Sequence, residues 1–392
     1  MVTDRTRYKK RYASYRSPDG SRLSKTYSSV RQQPRPKLDP GSLYAFTRPL
    51  PDTLTDTRVI YRFNVQDDGT FLEAVSVTDS VEVEGCINGT LGAENSLWVE
   101  CEGRDNVDSP LSTFTDRRDP KSLKLIERLP GLSFFINAFA GMVNDPQRAR
   151  VWASTADGNV YSISAQNVPT PVTVSLGTHL GHVVQALGFA FYGDFLYLSC
   201  IDQITKDVLL LKVDPTPGSE HVIASGSSAG ANFFATPAML EVVGDSLYSG
   251  FVEGQLIKWD PTTLSGTLFS GSLLGNSEIS DVTSYYAGGA YDRDNDAFWV
   301  MRFDVLESNW TAARIDRQTG NVDFISDALF NPHQAFYYAP AISKERFVFY
   351  PGEDLITSKH SIYTFRMDAP KYLRSFELPD QSNRLERLTY VP

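Results

Sequence analysis

From Gly41 onward the chain is a succession of short apolar runs, many alternating with polar positions, each closed off by Gly, Asp, Asn or Pro. Runs of this kind, rich in β-branched and aromatic residues and bounded by turn formers, predict strands rather than helices. One unit recurs: a turn, then an apolar residue, then a large aromatic. It reads Leu43-Tyr44, Leu97-Trp98, Val151-Trp152, Leu196-Tyr197, Leu247-Tyr248, Phe298-Trp299 and Phe347-Val348-Phe349, and its aromatics (44, 98, 152, 197, 248, 299, 349) lie 54, 54, 45, 51, 51 and 50 residues apart. A second unit follows each of these, a strand ending in a short polar turn, as in Ile257-Lys-Trp-Asp260-Pro-Thr-Thr, Ala313-Arg-Ile-Asp316-Arg-Gln-Thr-Gly320 and Tyr363-Thr-Phe-Arg-Met-Asp368. Its equivalents end near Gln66, Asp116, Ser164 and Asp214. Two independent markers therefore give seven repeats of about fifty residues.

Turn residues divide each repeat into four short strands, lettered a to d. In the fifth repeat, a is Ala238 to Val243, b is Leu247 to Phe251, c is Gln255 to Trp259 and d is Thr267 to Ser270. Four strands at this period are the pattern of propeller blades, whose radial packing protects most sheet edges, rather than of stacked solenoids. The expected fold is all-β: a seven-bladed β-propeller over residues 39–392, preceded by an extended basic N-terminal arm over 1–38. The first repeat starts at strand b, Leu43 to Phe46, with no room for an inner strand before it. A strand is left over at the other end, 385–391, after the last strand of the seventh repeat, Leu373 to Leu378. The C-terminal strand is expected to complete the first blade and close the ring.

Over residues 39–392 these repeats resemble the broad superfamily of seven-bladed propellers that includes WD40, quinoprotein-like and YVTN-type repeats. The resemblance is one of architecture. The Gly-His and Trp-Asp pairs of WD40 do not recur, Trp259-Asp260 being a lone instance, and the double glycine of kelch repeats is missing. Such a resemblance implies a fold and leaves function open.

Charge changes the picture at the N-terminus. Residues 1–38 hold Arg5, Arg7, Lys9, Lys10, Arg11, Arg16, Arg22, Lys25, Arg31, Arg35 and Lys37 against Asp4 and Asp19, a net of +9. The chain as a whole carries −10, so the remainder carries −19. Tyr8, Tyr12, Tyr15 and Tyr27 interleave the bases, and Pro34, Pro36 and Pro40 extend the segment's end. With no helical or strand periodicity, this reads as an extended arm. One reading is a disordered solubilising tail. Another is a docking arm, whose bases pair with an acidic protein surface or, with the tyrosines stacking on bases, contact nucleic acid. An acidic body would repel a duplex, which favours the protein partner.

The N-terminus lacks an apolar signal core, and no stretch is long and apolar enough to span a bilayer, so neither classical secretion nor membrane insertion is expected. The expected location is a virion or the cytoplasm. The sequons at Asn88 and Asn309 are accordingly read as chance. Cys86, Cys101 and Cys200 are too scattered for a disulfide scaffold or a zinc site. A hairpin centred between Ala93 and Glu94 would nonetheless set Cys86 opposite Cys101.

No Walker loop, HExxH, G-x-S-x-G or S-x-x-K motif occurs. A propeller site would instead be assembled from single residues on the loops that lead from strand d of one blade to strand a of the next. Those loops offer His179, His182, Asn232, Asp281 and His333, with Asn137 and Arg384. Imidazoles and carboxylates meeting at a channel mouth could serve as acid and base or ligate a metal. They could equally line a wet channel and satisfy loop backbone. No catalytic residue, cofactor or metal is assigned. The leading expectation is a non-catalytic structural protein, part of a bacteriophage or other viral particle or another large complex, with the arm docking on neighbouring protein subunits and nucleic acid an option for the arm alone. The alternatives are a propeller enzyme acting on a small molecule or sugar at the channel mouth, and a cytoplasmic peptide-binding platform.

Overall fold

The computed structural model describes residues 14–16, 22–24, 41–49, 59–78, 85–92, 95–103, 112–130, 141–155, 158–164, 172–181, 183–205, 207–228, 239–250, 256–269, 284–304, 309–325, 334–335, 340–343, 346–354, 357, 359–367, 371–379, 381 and 383–391. The chain divides into two units, Met1–Asp39 and Pro40–Pro392.

The larger unit is a seven-bladed β-propeller. Every blade is an antiparallel sheet in which the strands neighbour one another in the order a-b-c-d. Blade 2 is Gly85–Leu91, Leu97–Gly103, Ser112–Arg118 and Leu125–Pro130. Blade 3 is Met142–Asp145, Arg150–Ser154, Asn159–Ser164 and Val172–Ser175. Blade 4 is Val184–Tyr192, Phe195–Asp202, Val208–Asp214 and His221–Ser228. Blade 5 is Met239–Val243, Ser246–Gly250, Leu256–Trp259 and Gly266–Leu268, each strand within one or two residues of its sequence-read bounds. Blade 6 is Ser284–Asp292, Ala297–Asp304, Asn309–Asp316 and Val322–Ile325. In blade 7 the inner strand is in two pieces, Gln334–Ala335 and Ala341–Ile342, followed by Phe347–Asp354, Lys359–Arg366 and Lys371–Glu377.

Blade 1 takes its strand a from the other end of the chain. Asn383–Val391 pairs antiparallel with Ser42–Pro49, from Ser42 opposite Val391 to Pro49 opposite Asn383, and Val59–Val65 and Phe71–Thr78 complete the sheet. The a strands touch their neighbours in blade order and return to the first, which makes the ring.

The core lies between blades rather than within one central mass. Seven apolar clusters of described residues each join two successive blades, including one between blades 7 and 1. This arrangement explains the apolar-aromatic pair in the sequence. Leu196, at the start of strand b of blade 4, packs toward blade 3, whereas Tyr197, on the opposite face, packs toward blade 5. Leu43 and Tyr44, Leu97 and Trp98, Val151 and Trp152, Leu247 and Tyr248, Phe298 and Trp299, and Val348 and Phe349 divide the same way. A strand buried on both faces must be apolar at successive positions, so it cannot show a polar alternation. The seven aromatics are equivalent and at most 2% exposed.

The c–d turns are closed by carboxylates. Asp260 Oδ1 accepts the N–H groups of Thr262 and Thr263, and Asp316 Oδ1 those of Gln318 and Thr319. In blade 2 the same role falls to Asp119, which accepts from Lys121 and Ser122, so the sequence marker placed at Asp116 moves three residues along. Asp116 lies inside strand c, buried, because it is the partner of Arg118 and Arg128.

Candidate functional site

The smaller unit contributes two described strands, Ser14–Arg16 and Arg22–Ser24, paired antiparallel with Ser14 opposite Ser24, Tyr15 opposite Leu23 and Arg16 opposite Arg22. A short hairpin thus stands where the sequence suggested a featureless extended segment. Three residues on each side are too few for a periodicity to register. Arg5, Arg7, Lys9, Lys10, Arg11, Lys25, Arg31, Arg35 and Lys37 lie outside the described residues.

Of the channel-mouth candidates, His182, Asn232, Asp281 and His333 also lie outside the described residues. His179 is described. It sits exposed in the short helix Gly177–Leu180, which Gly181 ends at a φ of 78°, a left-handed conformation that glycine adopts without strain. Its Nε2 is 3.3 Å from Ser225 Oγ on strand d of blade 4, the outermost strand of that sheet. The helix therefore sets His179 beside an outer strand, with strands c and b between it and strand a of that blade. Among the described residues no group of three or more His, Cys, Asp or Glu is arranged to hold a metal ion, and no helix is long and apolar enough to cross a membrane.

What the described residues do show in detail is how the blades are locked. Tyr44 donates to Pro120 O at 2.7 Å and Tyr197 to Pro261 O at 3.0 Å, each reaching from strand b into the c–d turn of the following blade. Tyr161 donates to the buried carboxylate of Glu100 at 2.6 Å across the junction of blades 2 and 3, and burial together with Glu100 pushes this phenol well above its ordinary pKa. Arg150 and Glu220 form a nearly buried ion pair, 2.5 Å apart, between blades 3 and 4. Tyr248 and Phe298 meet ring to ring, 5.0 Å between centroids, across blades 5 and 6. Arg346 pairs with Asp294 across blades 6 and 7, and Arg374 donates to Asp68 O across blades 7 and 1. Every junction has at least one such contact, and sequence reasoning had found only the aromatics. The polar partners come from a neighbouring repeat, mostly from its turns and in the case of Glu100 from a strand, a distance in sequence at which no local pattern operates.

Cys86 and Cys101 are direct cross-strand partners in blade 2, their Sγ atoms 3.2 Å apart, both buried and unbonded. The expected pair is found, though by a different register: from Asn88 opposite Glu100 to Leu91 opposite Leu97 the partners stand one residue off the symmetric hairpin, and a shift between Cys86 and Asn88 brings the cysteines opposite. Burial pushes the Cys101 thiol well up, as it does that of Cys200, so both remain protonated and poor nucleophiles at neutral pH.

No family model matches the chain, and no curated protein matches its sequence. Solved structures do. A 6-phosphogluconolactonase candidate from Bacteroides uniformis ATCC 8492 aligns with a TM-score of 0.55 at 11% identity, over 90% of this chain and 100% of that one. Apo AztD from Citrobacter koseri aligns at 0.52 and 11% identity, over 90% and 98%. The β-propeller domain of Myceliophteria thermophila Cps50 (Swd1) aligns at 0.50 and 13% identity, over 75% and 87%. What these comparisons support is the β-propeller fold. At such identities the likeness is one of fold alone.

Proposed function

We propose that this chain is a non-catalytic assembly protein, a rigid propeller whose basic arm docks on neighbouring subunits of a viral particle or another large complex. The observation that carries the reading is the partition of charge: +9 in residues 1–38 and −19 in the remainder. Complementary fields of this size steer association and set register, while each exposed ion pair adds little by itself. Cross-blade contacts at every junction support a body that keeps its shape while the arm engages a partner.

The test is co-sedimentation of the chain with the complex in which it is made. A variant lacking residues 1–38 is expected in the unassembled fraction, and high salt is expected to release the full-length chain, because exposed charges more than a Debye length apart are screened. Normal incorporation of the arm-deleted chain would return the segment to a solubilising tail.

A further inference from the structure

Residues 63–103 contain nine Asp or Glu and no Lys, Arg or His; Asp67 and Asp68 are exposed, Glu100 is buried against Tyr161, and the side chains of the other six lie outside the described residues. In the fold residues 63–103 run from the end of strand c of blade 1 through its outer strand, Phe71–Thr78, to the a–b hairpin of blade 2. Among the described residues the outer strand pairs with strand c on one side, with a register shift between Leu72 and Val75, and ends the sheet on the other. An outer strand offers unpaired backbone groups to any extended chain, and proteins usually blunt such edges with lysine, proline or shortness. Blade 2 has Arg128 and Pro130 on its outer strand and blade 7 has Lys371 and Arg374, while those of blades 3, 5 and 6 run to only four, three and four residues. The outer strand of blade 4 is as long as that of blade 1, eight residues, but the helix bearing His179 lies against its Ser225. Blade 1's strand has eight residues, no base and no proline. Phe71, Val75 and Val77 pack inward, Leu72 stands 51% exposed beside exposed Ser76, and the exposed pair Asp67 and Asp68 precedes them.

The segment that fits such an edge is extended, basic and able to form a strand. Residues 1–38 have that composition, and their described parts, Ser14–Arg16 and Arg22–Ser24, are strands. We infer that the outer strand of blade 1 accepts the N-terminal arm of a second copy of this chain, which joins the sheet as an added strand with its bases drawn to Asp67 and Asp68 at the strand's start. The inference rests on the assembly reading above and names its docking surface. Arm length is sufficient to reach a second copy, and the concentration dependence measured below separates this from docking on the arm's own blade. The bases are spread from Arg5 to Lys37, a contour of about 110 Å when extended, whereas the strand is about 27 Å long.

Sedimentation velocity of the full-length chain over a range of concentrations tests this. Two full-length variants are compared with it: an edge variant, Asp67→Lys with Leu72→Lys and Ser76→Lys, all at exposed positions, and an arm variant, Arg5→Glu with Arg7→Glu, Lys9→Glu and Arg11→Glu. Asp67→Lys alone is a milder edge variant, and far-ultraviolet dichroism verifies that each is folded. The wild type is expected to associate, either multiple variant alone to associate at least tenfold more weakly, and Asp67→Lys to fall between. An equimolar mixture of the two multiple variants is expected to form dimers, since one supplies an intact edge and the other an intact arm. If the arm variant is impaired and the edge variant associates like the wild type, the edge is not the acceptor and the assembly reading stands. If the arm variant associates like the wild type, or the wild type stays monomeric throughout, the second-copy proposal fails, and the assembly reading is decided separately by co-sedimentation with its complex. Binding of a single-stranded oligonucleotide in place of self-association, lost in the arm variant alone, would overturn the proposal in favour of nucleic acid.

Discussion

Glu241 illustrates what the inter-blade packing does to a single side chain. It lies on strand a of blade 5, opposite Tyr248, and its carboxylate accepts the backbone N–H of Tyr291 in blade 6. Burial outweighs that bond and the nearby Arg293, and pushes its pKa from 4.5 up to about 7. Because the folded value lies above the unfolded one, the folded state holds the proton more tightly, and stability falls as pH rises from about 4.5 to about 7. Glu241→Gln keeps a carbonyl oxygen for Tyr291 and removes the charge. It is expected to raise stability at pH 8 by on the order of 1 to 3 kcal/mol, with little effect at pH 4. Urea melts of both proteins at the two pH values would show it, and an equal effect at both would assign the gain to packing. Asp116 is the opposite case, a fully buried carboxylate held by Arg118 at 2.5 Å and by both ends of the Arg128 guanidinium at 2.8 and 3.1 Å. In the sequence it has the look of a turn aspartate like Asp260, since its burial depends on strand pairing that no local spacing reveals.

Among the elements, the C-terminal strand carries the topology. Asn383–Val391 pairs along all of Ser42–Pro49, and its Leu385 and Leu388 are buried in the cluster that joins blades 7 and 1. Truncation after residue 382 would open that cluster and leave strand b of blade 1 with an unpaired inner edge. Two buried leucines alone are worth about 2 to 5 kcal/mol each, so the truncated chain is expected to unfold far below the full-length thermal midpoint or to aggregate. Calorimetry showing an unchanged midpoint would mean that the ring holds without its closure. This strand was legible because it was arithmetically spare, one strand beyond the seventh repeat. The b strands were legible because facing two blades at once forces apolar side chains at successive positions. Strand a of blade 7 was less so, being split between Gln334–Ala335 and Ala341–Ile342 with too few residues in either piece to form a pattern. The loops between blades have no periodicity, which is why His179 could be given a loop and not a position; the fold sets it against an outer strand through a four-residue helix.

At the scale of the whole molecule, stability and assembly are expected to reside in different parts of the chain. Among the described residues, the apolar clusters of the propeller join successive blades at its seven junctions. Ring closure likewise uses residues 42–49 and 383–391. The arm's charges, by contrast, belong to encounter with a partner, a term that is long in range and weakened by salt. Deleting residues 1–38 is therefore expected to move the thermal midpoint of the unassembled chain by less than about 2 °C, the response of a large domain to a surface change of a few tenths of a kcal/mol. The same deletion makes the net charge at neutral pH more negative, from −10 to −19, so elution from an anion exchanger shifts to higher salt. Differential scanning calorimetry in parallel with ion-exchange chromatography would separate the two contributions. A midpoint lowered by many degrees would show that the arm helps to hold the propeller together, and its bases would then have to be explained as part of the fold rather than as a means of reaching another subunit.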